Sequence, residues 1–234
     1  MVEHRIKHQG RVISYRVKRV KGISYIRVRV NRNGVFVTAP KSASQAEIKR
    51  FLLSNADKII RMIERTAPVI KKFADGEAFP YLGTERALRL MERPGARGIK
   101  VEATQRRIVV SGPPGLSADR IRAALVEWYR EEARILLSNK VYFYAERMRL
   151  KPGRIAIRDQ KTRWGSCSSR GNLNFSWRLI MMPEHIVDYV VVHELSHIRH
   201  RNHGKEFWAL VGSVLPDYTE RRDWLKQNGG RFRW

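Results

Sequence analysis

The segment VVHELSHIRHRNHGKEFW, residues Val191 to Trp208, contains four histidines and two glutamates. Within it, His193-Glu194-x-x-His197 sets two imidazoles four residues apart. In a helix these positions share one face, with a rise of about 6 Å and a rotation of about 40° between them. Two such imidazoles can converge on one tetrahedral ion, and Glu194 then lies beside the ion rather than among its ligands. The pattern predicts a Zn²⁺ site in which Glu194 is the general base for a metal-activated water.

A catalytic zinc needs three protein ligands and one open position, so a third ligand is required. The candidates are His200, His203 and Glu206. On a continuing helix, His200 would lie about 10 Å along the axis from His193, too far for both rings to reach one ion. His203 follows Asn202, a residue type that tolerates the left-handed conformation that ends helices, and a chain reversal there would return His203 over the helix face. We therefore predict His203 as the third ligand, with Glu206 as the alternative.

The chemistry expected of this set is hydrolysis of a peptide bond. Zinc would polarise the carbonyl, while Glu194 would take a proton from the attacking water and deliver one to the departing amine. The oxyanion would need one donor besides the metal. Tyr189, Arg163 and His200 are candidates for that donor, and the sequence does not choose between them.

The stretch KTRWGSCSSRGNLNFSWRLI, from Lys161 to Ile180, is the second informative region. Its small residues around Gly165 and Ser166 are typical of a strand edge that could pair with an extended peptide by strand addition. A tight packing corner beneath the tryptophans is the equally weighted alternative. We expect Cys167 to be a small buried residue rather than a zinc ligand, because three histidines are available.

Several elements that would position these residues can be read from hydrophobic periodicity. Alternation from Ser24 to Asn31, an Asn33-Gly34 turn and a return through Val35–Thr38 predict a hairpin, to which Tyr15–Val20 adds a third strand. Ser44-x-x-Glu47 predicts a capping box at the start of a helix that reaches Pro68. Later segments predict three short strands, a long helix from Ser117 toward Met148, two further strands and the metal-site helix from Pro183. We place a domain boundary at Gly112 to Gly115 and see no internal repeat.

The composition narrows the class of protein. Hydrophobic residues make up 43% of the 234 residues, which suits a folded core, and the formal net charge is +25 with a pI of about 11.0. Such a charge favours polyanionic partners, nucleic acid among them. Cys167 is the single cysteine, so no intrachain disulfide can form. With neither a signal-peptide pattern nor an apolar run of about 18 residues, we expect a cytoplasmic protein with no membrane partner.

Together these stretches resemble the YgjP-like family of predicted metal-dependent hydrolases, which is related to the SprT-like zinc metallopeptidases. The resemblance rests on three segments and two short pairs: Phe79–Gly83 (FPYLG), Lys161–Ser168 (KTRWGSCS), Tyr189–His197 (YVVVHELSH), Asn202-His203 and Phe207-Trp208. It implies zinc-dependent peptide hydrolysis, with His193, His197 and His203 as ligands and Glu194 as catalytic base. The interval from His197 to His203 also matches metzincin proteases, but those carry glycine where His200 stands and a downstream methionine turn, whereas no methionine follows Met182.

The sequence thus predicts an α+β protein of two parts. Residues 1–115 form an N-terminal antiparallel β-rich basic region with a helix, and residues 116–234 a zincin-like metallopeptidase domain whose HExxH helix packs on a small sheet. The expected function is that of a zinc metallopeptidase acting on polypeptides. The alternative is a basic nucleic-acid-associated zinc protein, with structural zinc or with DNA-linked protease activity. A structural site would have no use for a carboxylate such as Glu194 beside an open coordination position.

Overall fold

The computed structural model describes residues 3–31, 33–66, 70–160 and 162–232, which fold as two compact units, Met1–Val69 and Ile70–Trp234. The described residues form a mixed α+β structure of small sheets and helices. The strands are β1 (Glu3–His8), β2 (Arg11–Val20), β3 (Arg27–Asn31), β4 (Gly34–Pro40), β5 (Ala78–Tyr81), β6 (Thr84–Glu92), β7 (Lys100–Ala103), β8 (Arg107–Gly112), β9 (Ile155–Arg158), β10 (Gly165–Cys167) and β11 (Leu173–Ser176). The α-helices are α1 (Gln45–Ser54), α2 (Ala56–Thr66), α3 (Ala118–Met148), α4 (Glu184–Arg199), α5 (Lys205–Val214) and α6 (Tyr218–Asn228). None of these helices combines the length and apolar character needed to cross a membrane.

The first unit is a four-stranded sheet in the order β1-β2-β4-β3, with α1 and α2 on one face. The sheet is mixed rather than antiparallel as predicted, because β2 and β4 run parallel. Its core joins sheet residues such as Ile13 and Val37 to Leu52 of α1. The predicted capping box is confirmed: Ser44 Oγ accepts from Glu47 N at 3.1 Å, and the Glu47 carboxylate accepts from Ser44 N at 2.6 Å.

Two local predictions for this unit need correction. Asn31 pairs with Gly34, so Gly34 (φ 114°) opens β4 instead of sitting in the hairpin turn. The single helix expected after Ser44 is two helices, separated at Asn55, whose side-chain amide donates to Phe51 O at 2.9 Å. Pro68, the expected helix end, lies outside the described residues.

The second unit is built around α3, the 31-residue helix predicted to follow Ser117, which is its N-cap. Its buried side chains recur every fourth residue from Ile121 to Ala145. They share one core with the sheet ordered β5-β6-β8-β7, with the three-stranded sheet β10-β11-β9 and with α4. Val110 of β8 and Leu125 of α3 belong to this same core. The boundary expected at Gly112 to Gly115 therefore falls inside the second unit, and the chain divides after residue 69 instead.

The expectation that the chain has no internal repeat is wrong. The two four-stranded sheets have the same strand order and the same parallel and antiparallel pairs. Tyr15 pairs with Val35 where Leu88 pairs with Ile108, so both partners are displaced by 73 positions. The same displacement relates the pair Arg27–Thr38 to the pair Lys100–Ser111. Strand order and register are therefore repeated at a constant interval.

Turns and helix starts repeat at this interval as well. Gln9 and Gly10 (φ 48° and 75°) form the β1–β2 turn, and Leu82 and Gly83 (φ 50° and 80°) form the β5–β6 turn. Positive φ at both central residues is the type I′ hairpin geometry. The N-caps Ser44 and Ser117, the buried pair Ile48 and Ile121, and the buried pair Leu52 and Leu125 continue the repeat into α1 and α3. The first unit is thus a second copy of the module that precedes α3.

The β5–β6 turn also fixes the start of the metal-site helix. Leu82 N donates to Ile180 O at 2.8 Å, and Gly83 N donates to Met181 O at 3.2 Å. A Cβ at Gly83 would lie 2.8 Å from Pro183 Cα, so no larger residue fits there. The segment Phe79–Gly83 therefore docks the second sheet onto the chain that leads into α4.

Candidate metal centre

Helix α4 carries the first two histidines and is held in place by its apolar residues. Pro183 occupies the N-cap, one position before the predicted first turn, so its missing N–H costs no helical hydrogen bond. Val187, Val191 and Leu195 are fully buried in the core with α3. This burial holds the face that bears His193 and His197 toward β10 and α5.

The chain reversal after α4 brings a third histidine to the same place. Helix α4 ends at Arg199, and His200 has an extended backbone (φ −123°, ψ 106°). The reversal begins there rather than at a left-handed Asn202, and Gly204 N donates to Asn202 O at 2.8 Å before α5 starts. As a result one ring nitrogen from each of His193, His197 and His203 lies within 4.8 Å of the others.

Two aromatic residues at the start of α5 support the three rings. Phe207 is fully buried, and its ring centroid lies 5.0 Å from that of His193 and 4.7 Å from those of His197 and His203. The Trp208 ring lies 5.7 Å from His203 and stacks on Tyr218 of α6 at 5.3 Å. These contacts restrict the rotamers of the imidazoles, which favours a preformed site.

The ring nitrogens satisfy the requirements for holding a metal ion. His197 Nδ1 lies 3.2 Å from the carbonyl of His200, a contact that leaves Nε2 for another partner. His193 Nε2 and His203 Nε2 are 3.1 Å apart, close to the roughly 3.3 Å between two nitrogens bound to one tetrahedral zinc at about 2.05 Å. His193 Nδ1 is buried without a hydrogen-bond partner in the described structure. The donor set therefore fits a divalent cation.

Burial shifts the protonation of the first histidine in the direction that metal binding needs. Burial, with smaller effects from His197 and His203, lowers the pKa of His193 to about 3. Burial also lowers the pKa of His197. Neutral imidazoles are metal ligands, whereas imidazolium ions are not. His193 is therefore in the ligating form at neutral pH.

Glu194, the residue after His193, packs against strand β10. Its side chain is buried, and burial raises the pKa of its carboxyl to about 7, while the charge of Arg163 acts in the opposite direction. A Cβ at Gly165 would lie 2.6 Å from Glu194 Oε1. The backbone of β10 thus approaches the carboxylate as closely as a residue without a side chain allows.

A cavity of about 470 Å³ opens between β10 and the histidines. Its walls are Gly165–Ser168 on one side, the three histidines and Glu194 on the other, and Arg201, which donates to Ser169 O at 2.8 Å. Strand β10 is an edge of its sheet, paired to β11 alone among the described strands. The cavity therefore offers a free strand edge next to the histidine cluster.

The other ligand candidates do not join this cluster. His200 Nδ1 faces the Glu206 carboxylate at 3.5 Å, and the Glu206 side chain is 85% exposed. Both line a separate cavity behind the reversal. Cys167 lines the main cavity and is half-buried, with its thiol pKa raised by burial, but its sulfur lies outside the group of histidine nitrogens.

Two of the three candidate oxyanion donors lie close to the cluster. Tyr189 and Arg163 line a smaller cavity of about 240 Å³ together with His193 and Glu194. The Tyr189 ring is 5.8 Å from that of His193, and burial raises the pKa of its phenol to about 12, which keeps the hydroxyl protonated as a donor. His200 lines neither this cavity nor the one along β10.

Sequence reasoning missed the contributions of Arg201, Phe207 and the close contact of Gly165. Arg201 belongs to no motif of the sequence, and Phe207 was noted only within the Phe207-Trp208 pair of the family resemblance. The run Gly165-Ser166 did signal a strand edge, but the pairing of that edge with α4 depends on distant segments of the chain.

Three histidine nitrogens beside a buried carboxylate are typical of metal-dependent hydrolases, and comparison with known proteins gives the family. A model described as YgjP-like, metallopeptidase domain, matches residues 24–228. The chain therefore belongs to the YgjP-like family and is a metal-dependent peptidase, whose substrates are polypeptides.

Two solved structures are similar to part of the chain. The metallopeptidase zymogen abylysin of Pyrococcus abyssi is 22% identical with a TM-score of 0.35, covering 37% of this chain and 89% of its own. The metallopeptidase zymogen jannalysin of Methanocaldococcus jannaschii is 19% identical with a TM-score of 0.36, covering 39% and 94%. No curated protein matches the chain.

Proposed function

We propose that this protein is a zinc peptidase of the zincin type, in which His193, His197 and His203 hold Zn²⁺ and Glu194 is the general base. The observation that carries the proposal is the convergence of three ring nitrogens within 4.8 Å, beside a buried carboxylate. Zinc fits this set better than magnesium or calcium, which prefer oxygen ligands. When bound, zinc supplies Lewis-acid polarisation and lowers the pKa of water.

The residues of the chain carry the proton transfers. Glu194 accepts the proton of the attacking water and returns it to the nitrogen of the departing amine, so the carboxylate is regenerated in each turnover. Contact with the Gly165 backbone confines the Glu194 side chain, which limits the entropy lost on reaching the reactive geometry. Tyr189 is the preferred oxyanion donor, because its hydroxyl is protonated and its ring lies next to His193.

The polypeptide substrate binds in extended form along β10. This strand exposes one edge to the cavity, and a peptide can add to such an edge through main-chain hydrogen bonds. The small residues Ser166 and Ser168 leave room for the side chains of the substrate, whereas the space beside Gly165 is filled by Glu194. Because recognition is through the backbone, the enzyme should accept substrates of many sequences. Arg201 in the cavity wall should favour substrates with a carboxylate group.

A structural zinc site is the alternative, and the donor inventory argues against it. Structural sites have four protein ligands. In the described residues, the group of candidate ligand atoms contains three histidines and no fourth donor. Burying the Glu194 carboxylate next to such a group costs free energy, and a structural site gives no reason for that cost.

Cleavage profiling on a proteome-derived peptide library tests the proposal, with bound metal measured on the same samples. Protein purified without added metal should carry about one zinc per chain and cleave a reproducible set of peptides, whereas Glu194→Gln should carry the same zinc and cleave these peptides at least about a hundredfold more slowly. Equal cleavage by both proteins would reject Glu194 as the base. A different bound metal would reject zinc while leaving the peptidase assignment intact.

A further inference from the structure

The N-terminal sheet has one covered face and one open face. In β2 and β4, Ile13, Tyr15, Val35 and Val37 are buried against α1 and α2, so the alternate residues point to the opposite side. We call that side the basic face. It is formed by Arg5, Lys7, Arg16, Lys18, Arg27, Arg29 and Phe36.

The strand registers bring these side chains together. Arg16 and Arg29 flank Phe36 from the two neighbouring strands, and Lys18 and Arg27 flank Thr38 in the same way. The Arg16 guanidinium lies over the Phe36 ring, 5.0 Å from its centroid. The basic face therefore has a half-buried aromatic ring at its centre with cations on both sides.

Within the part of the chain that the structure describes, the cations of the basic face form no ion pairs. Among the described ion pairs, those of the first unit involve His8 and Arg11, and none involves a residue of the basic face. Glu3 lies across from Arg16 in register, but the pair is not among those within 4.0 Å. The positive potential of this face is therefore available to a polyanion.

The second copy of the module shows that the fold does not require these charges. At the interval of 73 positions, Arg5, Lys7, Lys18 and Phe36 correspond to Ala78, Pro80, Met91 and Val109, and Arg29 corresponds to Glu102. Two cations remain there, and both are paired: Arg89 with Asp75 at 3.0 Å, and Lys100 with Glu102 at 2.7 Å. The two copies have the same pattern of buried positions and the same strand register, but they differ on this face. This difference indicates a separate role for the face in the first copy.

We propose that the basic face binds single-stranded nucleic acid, a role that goes beyond the peptidase activity. Its cations contact phosphates, and the Phe36 ring with the Arg16 guanidinium provides planar surfaces on which exposed bases stack. An anionic lipid surface would use the charges but not the ring. A duplex hides its base faces, so its affinity lacks the stacking contribution.

The test measures anisotropy of a labelled single-stranded oligonucleotide of roughly 20 nucleotides, longer than one binding site, with the full-length protein. The triple variant Arg5→Gln, Lys18→Gln, Arg29→Gln removes three cations from the basic face. The matched control Arg97→Gln, Arg106→Gln, Arg147→Gln removes three exposed cations of the second unit that have no recorded ion pair. Phe36→Leu removes the ring while keeping an apolar side chain.

We expect the face triple to weaken binding at least about tenfold at about 50 mM salt and to flatten the log–log salt dependence by about 2, which is 0.7 for each lost contact. The control triple should stay within about twofold of the wild type, and Phe36→Leu should lose about fivefold or more for the single strand. Peptide cleavage by the face triple should equal that of the wild type, and an unchanged unfolding transition by circular dichroism shows that the first unit of the variant is folded.

Several results would overturn the proposal. Equal losses in the two triples would assign binding to net charge alone, and wild-type affinity of Phe36→Leu would remove base stacking. Tighter binding of anionic vesicles or of polyglutamate than of the oligonucleotide would identify a different partner for the basic face.

Discussion

Gly165 of β10 and Glu194 of α4 are in direct contact, since a Cβ at position 165 would lie 2.6 Å from Glu194 Oε1 and 2.6 Å from its Cγ. The edge strand that we propose to receive the substrate therefore also sets the position of the proposed base. Substrate alignment and proton transfer depend on the same segment of backbone.

Gly165→Ala should impair catalysis without loss of metal. The added methyl group forces the Glu194 carboxylate or β10 to move, and a displacement of about 1 Å at a reacting group costs about a hundredfold in rate. Peptide cleavage and zinc content measured together test this. Gly98→Ala is the control, because a Cβ there would meet no atom within 4 Å. Normal turnover by Gly165→Ala would show that the contact is not needed.

Glu194→Gln should reduce the cleavage rate by about 10² to 10⁴, the range of general acid–base contributions, because the amide cannot accept the proton. Zinc content should not change. Glu206→Gln is the matched control, since it removes an exposed carboxylate from the neighbouring helix. Comparable losses in both variants would indicate a general charge effect rather than a base.

His203→Ala should weaken zinc binding more than His200→Ala, because only His203 contributes a nitrogen to the cluster. Loss of a ligand should exceed the roughly 10- to 100-fold that loss of a supporting partner costs. Competition with a metal chelator measures both affinities. The reverse order would exclude His203 as the third ligand.

Asp159→Asn should destabilise the second unit in a pH-dependent manner. Burial raises the pKa of Asp159, but hydrogen bonds from Arg178 and from Trp177 Nε1 (2.9 Å) outweigh burial, and the net pKa is lowered. A lowered pKa in the folded state gives stability above the unfolded pKa of about 3.9, and this stability is lost as the pH falls through the folded value. Because the carboxylate is 43% exposed, we expect about 1–2 kcal/mol at pH 7.

Urea unfolding at pH 7 and near pH 3 measures this effect, and the difference between Asp159→Asn and the wild type should shrink at the lower pH. Asp223→Asn, an exposed carboxylate, should remain within about 0.5 kcal/mol of the wild type at both pH values. A difference that does not depend on pH would assign the effect to packing rather than to charge.

Equivalent leucines of the two copies should report on different cores. Leu52 and Leu125 are both fully buried, and truncation to alanine should cost each core about 2–5 kcal/mol. Every tryptophan of the sequence lies beyond residue 127. Tryptophan fluorescence should therefore report the lower stability of Leu125→Ala but not that of Leu52→Ala. Circular dichroism should detect the lower stability of both variants. Identical fluorescence transitions for the two variants would mean that the cores unfold together.

The local elements were predictable because their signals are short-range. The capping box at Ser44, the long helix expected from Ser117 and the spacing of His193 and His197 each depend on local patterns, and the structure contains all of these features. The choice of His203 over His200 followed from helix geometry, which limits how far along an axis two ligands can lie. The local prediction that failed was the position of the hairpin turn, because a shift of one residue moves Gly34 from the turn into β4.

The internal repeat escaped prediction because its copies conserve burial more than identity. Tyr15 and Leu88, or Ile6 and Phe79, fill equivalent buried positions with different side chains, and cores accept such exchanges when the total volume is kept. Domain division failed for a related reason: a Gly- and Pro-rich loop at Gly112 connects a strand and a helix of one core. The contact of Gly165 with Glu194 joins distant segments, so no local pattern could reveal it.

Because the chain carries the same module twice, each strand of one sheet has a possible wrong partner in the other sheet. Strand β2 has a register that suits parallel pairing with β8 as well as with β4, because the two sheets repeat the same pairing. Exchange would set Tyr15 beside Ile108 in a cavity shaped for Leu88, and the steric mismatch disfavours it. The different side chains in the two cores therefore disfavour pairing between strands of different copies. Substitutions that make the two cores alike should increase misfolding.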